Sequence, residues 1–172
     1  MIIATWLPLC VPTANGQTPD VHVVVDASLL AGTLVDVQGD IGRRYREKLT
    51  DLVGDDRAYV MRTLTKLEVA AALRNKLLRA SSDPVLTEEH CDRAIRSMAS
   101  WPFQRIELTQ PMLVRVWEMR NNITPYDAMY VAATEQLMNE HDGNAVLATA
   151  DGRLANAPVL SVPVERFSPD DP

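Results

Sequence analysis

Four acidic residues stand at positions from which they can converge on a cation. Asp26 closes the β-branched run His22-Val23-Val24-Val25, and Asp151 follows the apolar run Ala145-Val146-Leu147-Ala148. Both runs read as buried strands. Glu68 and Asp127 lie in the opening turns of two segments with helical signals, Thr65–Leu78 and the alanine-rich stretch that starts Thr124-Pro125-Tyr126-Asp127. Parallel sheets bind ligands at the carboxyl ends of their strands, which puts Asp26 and Asp151 on one rim. Helices that begin at that rim bring Glu68 and Asp127 to it. Carboxylates held this close repel one another, and without a cation at least one pKa must rise. A hard divalent ion such as Mg²⁺ or Mn²⁺, bound by oxygen, removes the repulsion. Such an ion keeps waters, one of which can be activated against a phosphodiester. Ala71 and Ala72, near the face of Glu68 one turn on, leave room for an ion and a substrate.

Taken singly, each acid also fits a capping role. Thr65-x-x-Glu68 has the spacing of a capping box, with Thr65 as N-cap and Glu68 at N3. Thr124-Pro125-Tyr126-Asp127 fits similarly, with proline at the favoured first position. Asp26 and Asp151 can each cap a helix. Capping and metal binding do not exclude each other.

The elements that must position these acids alternate along the chain. Predicted strands cover 22–25, 58–61, 104–108 and 145–148, with a fifth over Val159–Val164. Predicted helices start at Ser28 and cover 41–53, with Tyr45, Leu49, Leu52 and Val53 on the apolar side, and 65–78, with Val69, Leu73 and Leu77 facing the core. Further helices run from Thr87 to Ala99, from Pro111 to Arg120, and from Thr124 towards Asp142-Gly143. Gly39 and Gly42 mark a break, as does Asp83-Pro84. Strand–helix alternation means βαβ units: an α/β fold with a mostly parallel central sheet of four to five strands flanked by helices.

The 172 residues fit one domain, expected over 21–167, with a disordered extension over 1–20 and a frayed tail from Ser168. Apolar residues make up 47% and charged residues 23%, a globular balance. Aromatics, at 5%, are too few for a stacking platform along single strands. Ile2–Val11 is apolar but short and broken by Pro8, and no Lys or Arg precedes Arg43, so a disordered extension is expected here in preference to an atypical signal peptide, and a membrane span is not expected. Cys10 and Cys91 form no CxxC, which points to a reducing, cytoplasmic setting.

The net charge of −6 is uneven: residues 43–79 hold ten of the seventeen basic residues and five acids. That stretch reads either as a solvated helix face or as a basic lip beside an acidic cleft. Ser28 stands where a haloacid-dehalogenase-type phosphatase needs a second aspartate, and GxxxxGK[ST], GxGxxG and GxSxG are all missing. His22, His90 and His141 are scattered and read as structural or surface residues.

Four segments together resemble the PIN-domain family: Val23-Val24-Val25-Asp26-Ala27-Ser28, Leu64–Leu73 around Glu68, Ile123–Ala133 around Asp127, and Leu147–Leu154 around Asp151. They occur in the family's order and span about residues 22 to 165. Within the family the chain looks most like the VapC-type toxins of toxin–antitoxin pairs. The resemblance implies a three-layer PIN-like fold and a Mg²⁺- or Mn²⁺-dependent endoribonuclease that hydrolyses RNA. It also implies a homodimer and a small VapB-like antitoxin that inserts a segment near the active site. Carried over, Asp26, Glu68 and Asp127 match the metal-binding acids. Asp151 matches the more variable fourth acid, and Ser28 and Thr124 match polar residues that hydrogen-bond those acids or substrate. Two other classes stay open: a PIN-like module that grips RNA or protein without cutting, and a metal nuclease directed at DNA or flaps. The apolar content of 41–53 and 65–78 leads us to expect an exposed groove there for the antitoxin.

Overall fold

The computed structural model describes residues 21–35, 40–53, 57–79, 86–158 and 160–168. His22–Val25 forms β1, whose Val24 and Val25 are fully enclosed. Next come α1 (Ala27–Val35), α2 (Asp40–Val53), β2 (Ala58–Met61), α3 (Leu64–Arg79), α4 (Glu88–Ser97) and a 3-10 turn (Met98–Ser100). The order continues with β3 (Gln104–Ile106), α5 (Gln110–Glu118), α6 (Pro125–Glu140), β4 (Ala145–Thr149), α7 (Gly152–Ala155) and β5 (Val164–Arg166).

The strands form one all-parallel sheet in the order β3-β2-β1-β4-β5. Val24 pairs with Tyr59 of β2 on one side and with Leu147 of β4 on the other. Every residue of β4 is buried, as expected of a central parallel strand covered on both faces. Right-handed crossovers put α1–α4 on one face and α5–α6 on the other, because the chain steps outward from β1 to β3 and then returns to β1's far side. The packing divides the same way, with α1 against α2 and α3, α3 against α4, and α5 against α6. The result is a three-layer PIN-like α/β fold. The strand order reverses between β1 and β4, and the crevice beyond their carboxyl ends is the place where such sheets bind ligands.

Local chemistry sets the helix starts. Thr87, Thr109 and Thr124 each accept a backbone N–H at the N-cap of α4, α5 and α6. Proline stands second after the cap in α5 and first in α6, within the first turn where its missing N–H costs nothing. The turn from α6 into β4 uses Asp142 (φ 51°) and Gly143 (φ 85°) in the left-handed region. The core joins Val24, Val25, Leu29, Val69, Leu73, Val131, Leu137, Val146 and Leu147.

Several expectations shift. Of the fifth strand expected over Val159–Val164, Val159 lies outside the described residues, and of the rest only Val164 is in a strand, at the start of β5. Pro163 has no N–H to give to a ladder; its carbonyl instead accepts from Leu147 N at 3.0 Å, and pairing starts after it. The apolar side of α2 is not left open: Tyr45 packs on Gly32, where an added Cβ would lie 2.8 Å from the ring, and Leu49 is buried. The side chains of Leu52 and Val53, the extension over 1–20, Gly39 and Asp83-Pro84 lie outside the described residues. Among the described residues no helix is long and apolar enough to cross a membrane.

Candidate functional site

Asp26 leaves the end of β1 and is only 6% exposed. Ser28 Oγ and Thr149 Oγ1 both donate to its Oδ2, at 2.5 Å and 2.6 Å. The same hydroxyls also accept: Ser28 Oγ from Ala150 N across the switch point at 3.0 Å, and Thr149 Oγ1 from Asp151 N on its own side at 3.0 Å. The ends of β1 and β4 are thereby tied together through one carboxylate. Burial pushes Asp26 above the usual carboxylate pKa, and the hydrogen bonds from Ser28, Thr149 and the amides of Ala27 and Ser28 offset this only in part.

Glu68 does not serve a capping box. The helix already includes Leu64, so Thr65 stands inside α3, fully buried, with its hydroxyl 3.2 Å from Tyr130 Oη. Tyr130 Oη donates to Glu68 Oε2 at 2.7 Å. A tertiary contact from α6 thus takes both groups that the local spacing assigned to each other. Burial raises the pKa of Glu68; the Tyr130 bond opposes this, and the charges of Asp26 and Asp127 add to it. Those two charges therefore reach Glu68 across the cleft.

Asp127 follows the expected pattern. Thr124 caps α6 by accepting from Asp127 N at 3.2 Å and returns its hydroxyl proton to Asp127 Oδ2 at 2.8 Å. Asp151 caps α7, accepting from Arg153 N at 2.7 Å and Leu154 N at 3.4 Å. Burial alone would raise Asp151, but those amides and the Arg153 guanidinium outweigh it and hold the pKa below the usual value. Arg153 Nη2 lies 3.1 Å from Asp127 Oδ2 and 3.2 Å from Asp151 Oδ2, joining the two acids.

The crossover helices run back against the strands, so α3 and α6 begin at the rim where β1 and β4 end. Asp26, Ser28, Glu68, Thr124, Asp127 and Asp151 accordingly line one cavity of about 470 Å³, with Ala31, Ala72, Tyr126 and Arg153. Its acidic donors are all oxygen, the chemistry of a Mg²⁺ or Mn²⁺ site. As placed, no three His, Cys, Asp or Glu side chains among the described residues are grouped tightly enough to hold one ion. The acids are turned instead towards Ser28, Thr149, Tyr130, Thr124 and Arg153. The residues fit a hard cation in donor type and share one cleft, and holding one ion between them requires their side chains to turn from these partners.

Sequence reading missed Thr149, Tyr130 and Arg153. Thr149 had a signal, a hydroxyl residue closing a buried strand two positions before an acid. Tyr130 and Arg153 had only helical proximity to Asp127 and Asp151. The histidines lie away from the cleft. His22 and His141, distant in sequence, stack with ring centroids 3.5 Å apart, and His90 Nε2 lies 3.0 Å from the carbonyl of Leu34.

Fold and cleft together define a PIN-like three-layer protein with four acids at its switch point. No protein-family model matches the chain. It is similar to Ribonuclease VapC1 of Mycobacterium tuberculosis, 34% identical over 97 residues, covering 56% of this chain and 65% of that protein. It is also similar to Ribonuclease VapC9 of the same organism, 36% identical over 73 residues, covering 40% of this chain and 51% of that protein. The chain therefore spans between about half and 65% of the length of these relatives.

Proposed function

We propose that this chain is a divalent-metal-dependent endoribonuclease, the toxin of a toxin–antitoxin pair, acting in the cytoplasm as a homodimer held in check by a VapB-like antitoxin. The observation that carries this reading is the meeting of Asp26, Glu68, Asp127 and Asp151, from four separate segments, in one cleft at the switch point. Similarity to proteins called VapC ribonucleases supports it.

Asp26, Glu68 and Asp127 would hold Mg²⁺ or Mn²⁺, with Asp151 as the outer acid. The bound ion would supply Lewis acidity at a phosphodiester and a water of lowered pKa. The protein supplies orientation. Ser28 and Thr149 fix Asp26, Tyr130 fixes Glu68, and Thr124 fixes Asp127. Ala31 and Ala72 keep the walls small, so an RNA backbone has room to approach. The exposed Arg74, Lys76 and Arg79 along α3, with the half-buried Lys66, favour a polyanion. Leu67 and Leu78 of α3, 63% and 64% exposed, are the apolar residues an antitoxin segment would cover.

The test is incubation of the purified chain with labelled RNA and labelled DNA, with Mn²⁺ and then with EDTA. The reading expects RNA cutting that EDTA stops. Cutting of DNA alone would move the target to DNA. One observation favours a second reading, a module that binds without cutting: Arg153 already neutralises two of the four acids. RNA binding that EDTA leaves unchanged, with no cutting in Mn²⁺, would establish that alternative.

A further inference from the structure

Among the described residues that line the cleft, Arg153 is the one cation, and its position is specific. Its Nη2 bridges Asp127 Oδ2 and Asp151 Oδ2 at 3.1 Å and 3.2 Å, and the residue lines the same cavity as all four acids. Its backbone is anchored, because its own amide donates to Asp151 Oδ1 at 2.7 Å. Its side chain is 67% exposed, so the guanidinium can leave without disturbing the core. Asp127, by contrast, is 15% exposed and bonded to Thr124, so it stays in place when the arginine goes.

We infer that Arg153 is a built-in stand-in cation that competes with the divalent ion for Asp127 and Asp151. With no metal bound, it neutralises these two acids and limits their repulsion of Glu68 and Asp26. An entering ion must take at least one carboxylate oxygen from it. A guanidinium cannot shed its charge, so it opposes a divalent ion for as long as it stays near. The competition is modest, because contacts of so exposed an arginine are screened by water. Arg153 thus sets a lower metal affinity than the four acids alone would give, and the apo cleft stays closed to weakly held ions. The inference rests on the metal reading of the cleft and adds a residue that tunes it.

The test is Mn²⁺ binding by calorimetry to the full chain, without RNA, in the parent, R153Q and R153K. Circular dichroism confirms that each is folded. Removing the charge should tighten Mn²⁺ binding by about two- to tenfold, the range of one or two screened ion pairs. R153K, which keeps a cation, should lie nearer the parent than R153Q does. Binding to R153Q but not to the parent would be the strongest form of support. Equal or weaker binding to R153Q, with the parent binding normally, would overturn the competition while leaving the metal reading intact. Binding to neither protein at millimolar Mn²⁺ would overturn the metal reading and the competition together. A purely structural arginine would lower the metal-free melting temperature in R153Q and leave the Mn²⁺ affinity unmoved.

Discussion

Replacing Thr149 with valine removes one hydroxyl and almost nothing else. Thr149 is fully buried at the end of β4, and valine matches its shape and suits a strand, so neither a cavity nor a propensity cost should follow. Its Oγ1 donates to the buried Asp26 carboxylate at 2.6 Å and accepts from Asp151 N at 3.0 Å. A hydrogen bond to a charged group contributes about 1.5–3 kcal/mol, and the Asp151 amide loses its acceptor as well. The expected destabilisation at pH 7 is therefore about 2–3 kcal/mol. For a chain of this size that lowers Tm by about 4–12 °C. The loss should also depend on pH in a defined direction. Asp26 already titrates above its ordinary value of 3.8, and losing a bond that favours its charged form raises it further. A carboxyl with a raised folded pKa stabilises the fold when protonated, and that contribution fades as pH rises through the folded pKa. The gap between T149V and the parent should thus be widest at neutral pH and narrow, to the pH-independent loss at the Asp151 amide, as pH falls towards the ordinary value. Urea denaturation at pH 7 and at pH 4, with T149S as a hydroxyl-keeping control, measures it. A loss under about 0.5 kcal/mol at pH 7, or an equal loss at both pH values, would refute the assignment of Thr149 as the support of a charged Asp26.

Two further substitutions test neighbouring links. In EDTA, Glu68→Gln should hold or raise stability at pH 7, because glutamine mimics the protonated form that burial and the Asp26 and Asp127 charges favour. The advantage should vanish as pH falls below the ordinary glutamate value of 4.5, and thermal melts across pH 4–8 would show it. Tyr130→Phe should cost about 1–3 kcal/mol in urea denaturation, since it strips the buried donor from Glu68 and a partner from Thr65. It should also raise the Glu68 pKa further, readable by carboxyl NMR titration, and an unchanged pKa would show that the phenol does not support that charge.

The strands and their acids were legible because β-branched and apolar runs end abruptly in carboxylates at Asp26 and, past Thr149 and Ala150, at Asp151. Asp127 was legible because Thr-Pro-x-Asp states a helix start in four adjacent residues, and the structure closes that cap as the spacing suggests. Glu68 shows where local spacing misleads. Thr65 and Glu68 have the separation of a capping box, yet a phenol from α6 meets both, and a contact 62 residues away leaves no mark in the local sequence. Arg153 carries no local signal for a similar reason: it joins acids at the starts of two different helices. The fifth strand starts late because Pro163, inside the apolar pattern of 159–164, has no N–H for a ladder.

The central claim is that Asp26 belongs to a metal-dependent RNA-cutting centre. It is tested most directly by following cleavage of labelled RNA with saturating Mn²⁺ by the parent chain and by Asp26→Asn, side by side, each shown to be folded. The asparagine keeps the size and hydrogen-bonding shape of Asp26 but is a far weaker ligand for a hard cation. The account expects the parent to cut in Mn²⁺ and to stop in EDTA, and the folded asparagine variant to lose cutting by orders of magnitude. Equal cutting by both proteins, or parent cutting that EDTA does not touch, would contradict it.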